Sequence, residues 1–222
     1  MTDQRDDGQT VSTNRPARLR VQDLAIGYEH VLHEPLSFDV PPGQILAVVG
    51  PSGCGKSTLL ATIAGLLPPH GGRVLIDGVD VTTWAVHRRH CPMVFQDPML
   101  FAHLDVVGNV AYGLRRQGLP RGVARTRALE LLDWAGLRST ESQRVENLSG
   151  GQAQRVSLIR AIAANPSVLL LDEPFSALDA PLRRRLADDI RQMVTDRGIS
   201  AVHVTHDAEE AERMASSIID LG

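Results

Sequence analysis

The sequence predicts an α/β fold built on a parallel core sheet, and two observations predict it. The first is the apolar run Ile45 to Val49, which suits a buried parallel strand and leads through a glycine-rich loop into a helical pattern starting at Leu59. The second is that two later strand patterns, 168–171 and 201–205, are followed by polar residues at the point where such sheets hold ligands. Strand, loop and helix therefore alternate as in a parallel sheet.

The loop after the first run has the form G-x-x-x-x-G-K-[ST] and predicts a P-loop NTPase. Gly53 and Gly55 allow backbone angles that turn successive amides inward on an anion at a helix N-terminus. Lys56 would reach the β- and γ-phosphates and the Ser57 hydroxyl would ligate Mg²⁺. The expected nucleotide contacts come from Gly50, Pro51, Ser52, Gly53, Cys54, Gly55, Lys56, Ser57 and Thr58.

Lysine usage supports this interpretation, because Lys56 is the only lysine among 23 Lys and Arg residues. At this position the chain has a compact ammonium, whereas its other Lys and Arg positions all carry the planar guanidinium of arginine. The alternative for the motif by itself is a glycine-rich turn before an ordinary helix, and the distant motifs described below argue against it.

Bulk composition excludes several classes of protein. A net charge of −3 and a pI near 6.2 give no basic footprint, so nucleic acid is not an expected partner. No apolar run approaches the roughly 20 residues of a membrane-spanning helix, and the polar start lacks the apolar core of a signal peptide. Cys54 and Cys91 form no C-x-x-C pair, in agreement with a reducing, cytoplasmic compartment.

Residues 1–17 are polar and predict a disordered leader, followed by one domain over residues 18–222. Strand patterns at 19–26 and 36–40 predict an antiparallel β segment, and further strands are expected at 73–78 and 91–95. Apolar residues spaced for one helix face run from 105 to 137, which predicts a helical subdomain inserted over about 97–160.

A second helix start, Leu148-Ser149-Gly150-Gly151-Gln152, also favours anions. No lysine accompanies it. Two phosphate-seeking helix ends in a chain with a single nucleotide motif need an explanation.

Two carboxylates follow the apolar run 168–171. Asp172 is placed to hold Mg²⁺, and Glu173 is placed to orient or deprotonate a water. His206 follows the run 201–205 and reaches the same sheet edge. In isolation, a polar strand end and a structural histidine at a helix start are the simpler interpretations. Tyr28, after the first strand, could stack on a purine, although a tyrosine there is more often a packing residue.

Together these segments resemble the ATP-binding subunit of ABC transporters, over nearly everything from Leu19 to Gly222. The matching motifs are the Walker A loop (50–58), the Q-loop glutamine Gln96, the LSGGQ signature (148–152), the Walker B run (168–173), the D-loop (176–179) and the switch histidine His206. LSGGQ shortly before a Walker B strand is a very specific combination.

The resemblance implies two subunits paired head to tail, with a homodimer expected. The Walker A site of one subunit would receive the signature residues Ser149, Gly151 and Gln152 of the other, so each chain holds two half-sites and ATP joins them. It also implies that Tyr28 stacks on adenine, that Gln96 touches Mg²⁺ and the attacking water, and that His206 contacts the γ-phosphate. Water would attack that phosphate, with Glu173, Lys56, Gln96 and His206 as catalytic residues.

The resemblance further implies integral membrane permease subunits, docked near residues 97–103, and a location at the cytoplasmic face of the membrane. Phe95-Gln96-Asp97-Pro98 and Pro174-Phe175 look like importer ATPases for small solutes, similar to those for thiamine, polyamines and iron, which implies a solute-binding protein. Two features depart from importer relatives. Ala153 stands where they often carry a longer side chain, and the chain ends without the extra β domain of sugar-type ATPases, so regulation through such a domain is not expected.

Three other functions are alternatives to a transporter ATPase. A soluble ABC ATPase acting on ribosomes or DNA is disfavoured by the single Walker A motif, the lack of a coiled-coil insertion and the acidic charge. An exporter ATPase is the second alternative. A nucleotide kinase does not explain LSGGQ.

Overall fold

The computed structural model describes residues 17–222, so the predicted leader lies outside the described residues except for Ala17. The strands are Leu19–Ala25 (β1), Leu36–Val40 (β2), Ile45–Val49 (β3), Gly71–Ile76 (β4), Val79–Asp80 (β5), Met93–Val94 (β6), Val168–Asp172 (β7), Ser200–Val204 (β8) and Ser217–Asp220 (β9). The helices are Lys56–Ala64 (α1), Val106–Arg116 (α2), Arg121–Trp134 (α3), Gly150–Ala163 (α4), Ala180–Arg197 (α5) and Ala208–Met214 (α6).

A five-stranded parallel sheet forms the centre, in the order β6-β7-β8-β3-β9. Every residue of β7 and β8 is buried, as expected for inner strands covered on both faces. The carboxyl ends of β3, β7 and β8 meet at one edge, where the Thr205 amide donates to the Val48 carbonyl and the Glu173 amide to the Val204 carbonyl. The predicted P-loop NTPase fold with a parallel core sheet is thereby confirmed.

An antiparallel sheet, β2-β1-β4-β5, contains the predicted N-terminal β segment. Its third strand ends two residues earlier than the prediction of 73–78. Asp77 and Gly78 have φ values of 49° and 79°, so they form the turn between β4 and β5 instead of extending the strand.

Three apolar clusters hold the layers together. One joins β1 and β4 to α1 and the near face of the parallel sheet, and a second joins the opposite face of that sheet to α4 and α5. The third lies among α2, α3 and α4. Within residues 17–222, no helix combines the length and hydropathy needed to cross a bilayer.

The helical region predicted over 105–137 contains two helices, α2 and α3, because Gly118 turns the chain at φ 88° and Pro120 starts a new helix. The strand expected over 91–95 pairs only at Met93 and Val94. Pro92 offers a carbonyl but no N–H to the ladder, which limits the pairing.

Candidate functional site

The phosphate loop connects β3 to α1 through three glycines with positive φ. These are Gly50 at 146°, Gly53 at 84° and Gly55 at 99°. Residues with a Cβ rarely adopt these angles, so the glycines allow the backbone amides to turn toward the helix end. Pro51, Ser52 and Gly53 are exposed, so the mouth of the loop is open to solvent. The loop has the form that anion binding needs.

Lys56 is the first residue of α1 and is only 6% exposed. Its ammonium donates to the carbonyl oxygens of Gly50 and Pro51, both at 2.8 Å, and lies 3.9 Å from the Cys54 sulfur. The charge is therefore already held at the loop by two carbonyls. An arriving phosphate oxygen would give it a stronger, charged partner.

Ser57 and Asp172 bring the phosphate loop and the end of β7 together. The Ser57 hydroxyl donates to Asp172 Oδ1 at 3.0 Å, although 115 residues separate them in sequence. Burial raises the pKa of Asp172, while the Ser57 hydrogen bond acts in the opposite direction. A hydroxyl and a carboxylate are hard oxygen donors of the kind that Mg²⁺ prefers, so this pair fits the predicted metal.

Glu173 and His206 form a pair at the same edge, with Glu173 Oε2 3.1 Å from His206 Nδ1. Glu173 has φ 44°, a left-handed value that is strained for a glutamate. Its amide nevertheless donates to the Val204 carbonyl, which holds the strained backbone in place. The side chain of Glu173 is 20% exposed and that of His206 is 64% exposed, so water can reach the pair.

Gln96 and Tyr28 lie at the edges of this region. Gln96 is exposed and lies two residues beyond Val94, which pairs with Leu171 immediately before Asp172. It is therefore at the carboxyl edge that also carries the acidic pair. Tyr28 is 70% exposed in the loop between β1 and β2, so packing does not account for its ring. The two remain predicted contacts for the catalytic water and the adenine.

The signature segment forms the N-terminus of α4 as a complete capping box. The Ser149 hydroxyl accepts from the Gln152 amide at 3.3 Å, and the Gln152 side chain accepts from the Ser149 amide at 2.9 Å. Ser149 and Gly150 are exposed. Gly151 lies against the predicted D-loop, since a β-carbon there would be 3.0 Å from Leu178 Cδ2. The helix end is thus capped by its own side chains and exposed at its first residues.

Sequence reasoning missed the side chains that hold the segment after Gln96. Gln154 Nε2 donates to the Phe95 carbonyl at 2.9 Å, and Arg160 donates to the carbonyls of Met99 and Pro98 while its guanidinium lies 5.0 Å from the Phe101 ring centroid. Both belong to α4. The sequence carried only a weak signal, because these two are among four long polar side chains spread along that helix.

Comparison with known proteins agrees with this geometry. A model of the family described as ABC transporter matches residues 33–176. The Fe(3+) ions import ATP-binding protein FbpC of Agrobacterium fabrum is 48% identical over 184 residues, and that of Escherichia coli is 43% identical. These alignments cover 83% of this chain but only 52% and 53% of the relatives, so the chain spans about half of their length.

A solved structure extends the likeness to three dimensions. The dimeric structure of a post-hydrolysis state of the ATP-binding cassette MJ0796 bound to ADP and Pi superimposes with a TM-score of 0.83 at 29% sequence identity. It covers 91% of this chain and 93% of that one. From its fold, its motifs and these matches, the chain belongs to the ABC transporter family.

Proposed function

We propose that this chain is the ATP-binding and ATP-hydrolysing subunit of an ABC importer, working as a dimer at the cytoplasmic face of a membrane. The observation that carries the proposal is the meeting of Ser57 and Asp172 at 3.0 Å. This contact joins a phosphate-binding loop to the acidic strand end that carries Glu173. Family membership and the named functions of the relatives support it.

Nucleotide binding follows from the phosphate loop. Backbone amides from Gly53 to Thr58 would receive the phosphates at the positive end of α1. Lys56 would exchange its contacts with Gly50 and Pro51 for the β- and γ-phosphates. Tyr28, already exposed, would stack on the adenine.

Hydrolysis would be carried by Glu173 and His206. Glu173 would accept a proton from the attacking water, and His206, whose Nδ1 lies 3.1 Å from the Glu173 carboxylate, would hold that carboxylate in orientation. Ser57, Asp172 and Gln96 would hold Mg²⁺, which supplies positive charge against the transferred phosphoryl group. Lys56 adds to that stabilisation from the loop.

A second copy of the chain would complete the site. The exposed end of α4 presents Ser149 and Gly151 without a lysine of its own, as a donor of amides to a phosphate bound elsewhere. Pairing head to tail places this end against the γ-phosphate held by the other chain. This arrangement explains two anion-binding helix ends in a chain with one phosphate loop.

The membrane partner would dock beside residues 97–103. Met99 is 60% exposed, and a groove of about 480 Å³ lined by His103 and Tyr112 opens between α2 and α3. Since Arg160 of α4 holds this segment, closure of the ATP dimer would move it and switch the permease. A solute-binding protein would deliver the solute, and ferric iron is the first solute to test because the relatives are named for its import.

The test has a biochemical and a cellular part. Purified chain with magnesium should bind ATP, and phosphate release per chain should rise with protein concentration because hydrolysis needs a dimer. Expressed with the permease encoded by a neighbouring gene, it should purify with membranes. Failure to bind ATP, or full-rate hydrolysis by monomers, would contradict the ATPase proposal, and recovery with ribosomes or DNA would favour the alternative function.

A further inference from the structure

The loop between β1 and β2 lies directly on the phosphate loop. It is held by a bridge between Gly27 and Val31 and by a 2.9 Å hydrogen bond from the Leu32 amide to the Ile26 carbonyl. A β-carbon on Gly27 would lie 1.9 Å from the His30 carbonyl oxygen, so this turn is tight. It delivers the next two residues, Leu32 and His33, in a fixed position.

His33 contacts the phosphate loop at its backbone. Its Nε2 is hydrogen-bonded to the carbonyl oxygen of Cys54. A β-carbon placed on Gly55 would lie 3.3 Å from the same Nε2 and 3.2 Å from Leu32 Cδ1. Because a carbonyl can only accept, Nε2 must carry the proton. Within residues 17–222, this is the one hydrogen bond that the Cys54 carbonyl accepts outside regular helix and strand bonds.

This contact fixes the direction of the neighbouring amide. The peptide between Cys54 and Gly55 is trans and planar, so its C=O and N–H point in opposite directions. Holding the carbonyl toward His33 therefore points the Gly55 N–H away from His33. Gly55, at φ 99°, has the backbone freedom to let this peptide rotate if nothing held it.

We propose that His33 is a positioning residue for nucleotide binding, which locks the Cys54–Gly55 peptide in the orientation that presents the Gly55 amide to the phosphates. The inference rests on the proposed function, because it concerns the same phosphate loop. His33 acts through the peptide and touches no phosphate itself. The segment that carries Tyr28 would thus serve both ends of the nucleotide, the base through its tyrosine and the phosphates through His33.

The test compares two variants of His33. One keeps an aromatic ring but has no N–H donor, and the other has an N–H donor but no ring. His33→Phe keeps the volume and loses the N–H, whereas His33→Gln places an amide N–H the same number of bonds from the backbone as Nε2. We expect the dissociation constants of ATP and ADP, measured by titration calorimetry, to rise about fivefold in the Phe variant, the worth of one hydrogen bond. The Gln variant should bind like the wild type. His30→Phe is the matched control, because His30 is exposed and its ring makes no hydrogen bond among the described residues.

Wild-type affinity in His33→Phe, or equal weakening in His33→Phe and His33→Gln, would overturn the proposal. If the Phe variant does not fold, His33→Asn replaces it. The Asn amide is one bond too short to reach the Cys54 carbonyl, so this variant should bind nucleotide as weakly as expected for the Phe variant. The melting temperature without nucleotide, equal among the variants, shows that binding and not folding has changed. Absence of ATP binding by the wild type would instead contradict the proposed function, so the two failures are distinguishable.

Discussion

The two helix ends that we expect to bind phosphate, at α1 and at α4, are built in opposite ways. The α1 end lies among groups from the whole domain: Lys56 is buried, Ser57 meets Asp172 of β7, and His33, in the loop between β1 and β2, is hydrogen-bonded to the phosphate loop. The α4 end depends on local bonds. Its capping box joins Ser149 and Gln152 to each other, and both Ser149 and Gly150 face solvent.

This difference teaches which half of the proposed two-chain site is assembled within one chain. The α1 end has its cation, its acidic strand end and its candidate base together in one chain, so we expect it to hold a nucleotide by itself. The α4 end has only oriented amides, which need a phosphate supplied from elsewhere. Changes on the α1 side should therefore affect monomers, and changes on the α4 side should affect only dimers.

The largest effect is expected from Glu173→Gln. The amide keeps the shape of the side chain and cannot accept a proton from water, so hydrolysis should fall by about a thousandfold. ATP binding should persist, and the dimer should become longer-lived because its nucleotide is not consumed. Phosphate release and size-exclusion chromatography with ATP measure the two properties. Wild-type turnover in this variant would remove Glu173 from its assigned role.

The next effect separates the two helix ends. Ser149→Asp keeps an N-cap acceptor but adds a negative charge where the γ-phosphate should approach. We expect monomers to bind ATP with wild-type affinity while hydrolysis falls about a hundredfold. Lys56→Ala should behave in the opposite way, because monomers of this variant should already fail to bind ATP.

A mixture of these two variants sharpens the comparison. In a mixed dimer, the intact phosphate loop of the Ser149→Asp chain meets the intact signature of the Lys56→Ala chain. The mixture should therefore hydrolyse ATP at a rate that neither variant reaches by itself. A mixture as inactive as its components would argue against the head-to-tail site.

A smaller effect concerns the anchoring of α1 at its far end. The Arg89 guanidinium, 4% exposed, donates to the carbonyls of Thr62 and Ile63 in the last turn of α1 and to those of Thr82 and Trp84. Arg89→Met leaves these buried acceptors without donors, so the free energy of unfolding should fall by about 2–4 kcal/mol in urea titrations. Arg88→Met, at an exposed neighbour, is the control and should change it by less than about 0.5 kcal/mol.

The smallest effect is a difference between the two cysteines. Burial raises the pKa of the Cys91 thiol to about 12, so at pH 8 this thiol stays protonated and unreactive. Cys54 is half-buried in the phosphate loop. A thiol reagent should therefore label one cysteine in the native chain and two in urea, and ATP should slow the labelling of Cys54.

The same pKa predicts a pH dependence of stability. Because folding raises the pKa of Cys91 above its unfolded value, the native chain binds the proton more tightly. Stability should accordingly decline as the pH rises beyond about 9, where the unfolded thiol ionises. Cys91→Ala should lose that decline in pH-dependent urea titrations.

The sequence by itself determined the phosphate loop, the signature, the acidic strand end and the parallel core sheet. It did so because each depends on residue types at short fixed spacings: glycines for positive φ, a lysine beside a helix start, carboxylates after a buried apolar run. The tertiary structure decided the contacts that join distant segments, namely Ser57 with Asp172, Glu173 with His206, His33 with the Cys54 carbonyl and Arg160 with the segment after Gln96. No local pattern encodes such pairings, because they depend on which strands become neighbours in the sheet and on how the layers pack across it.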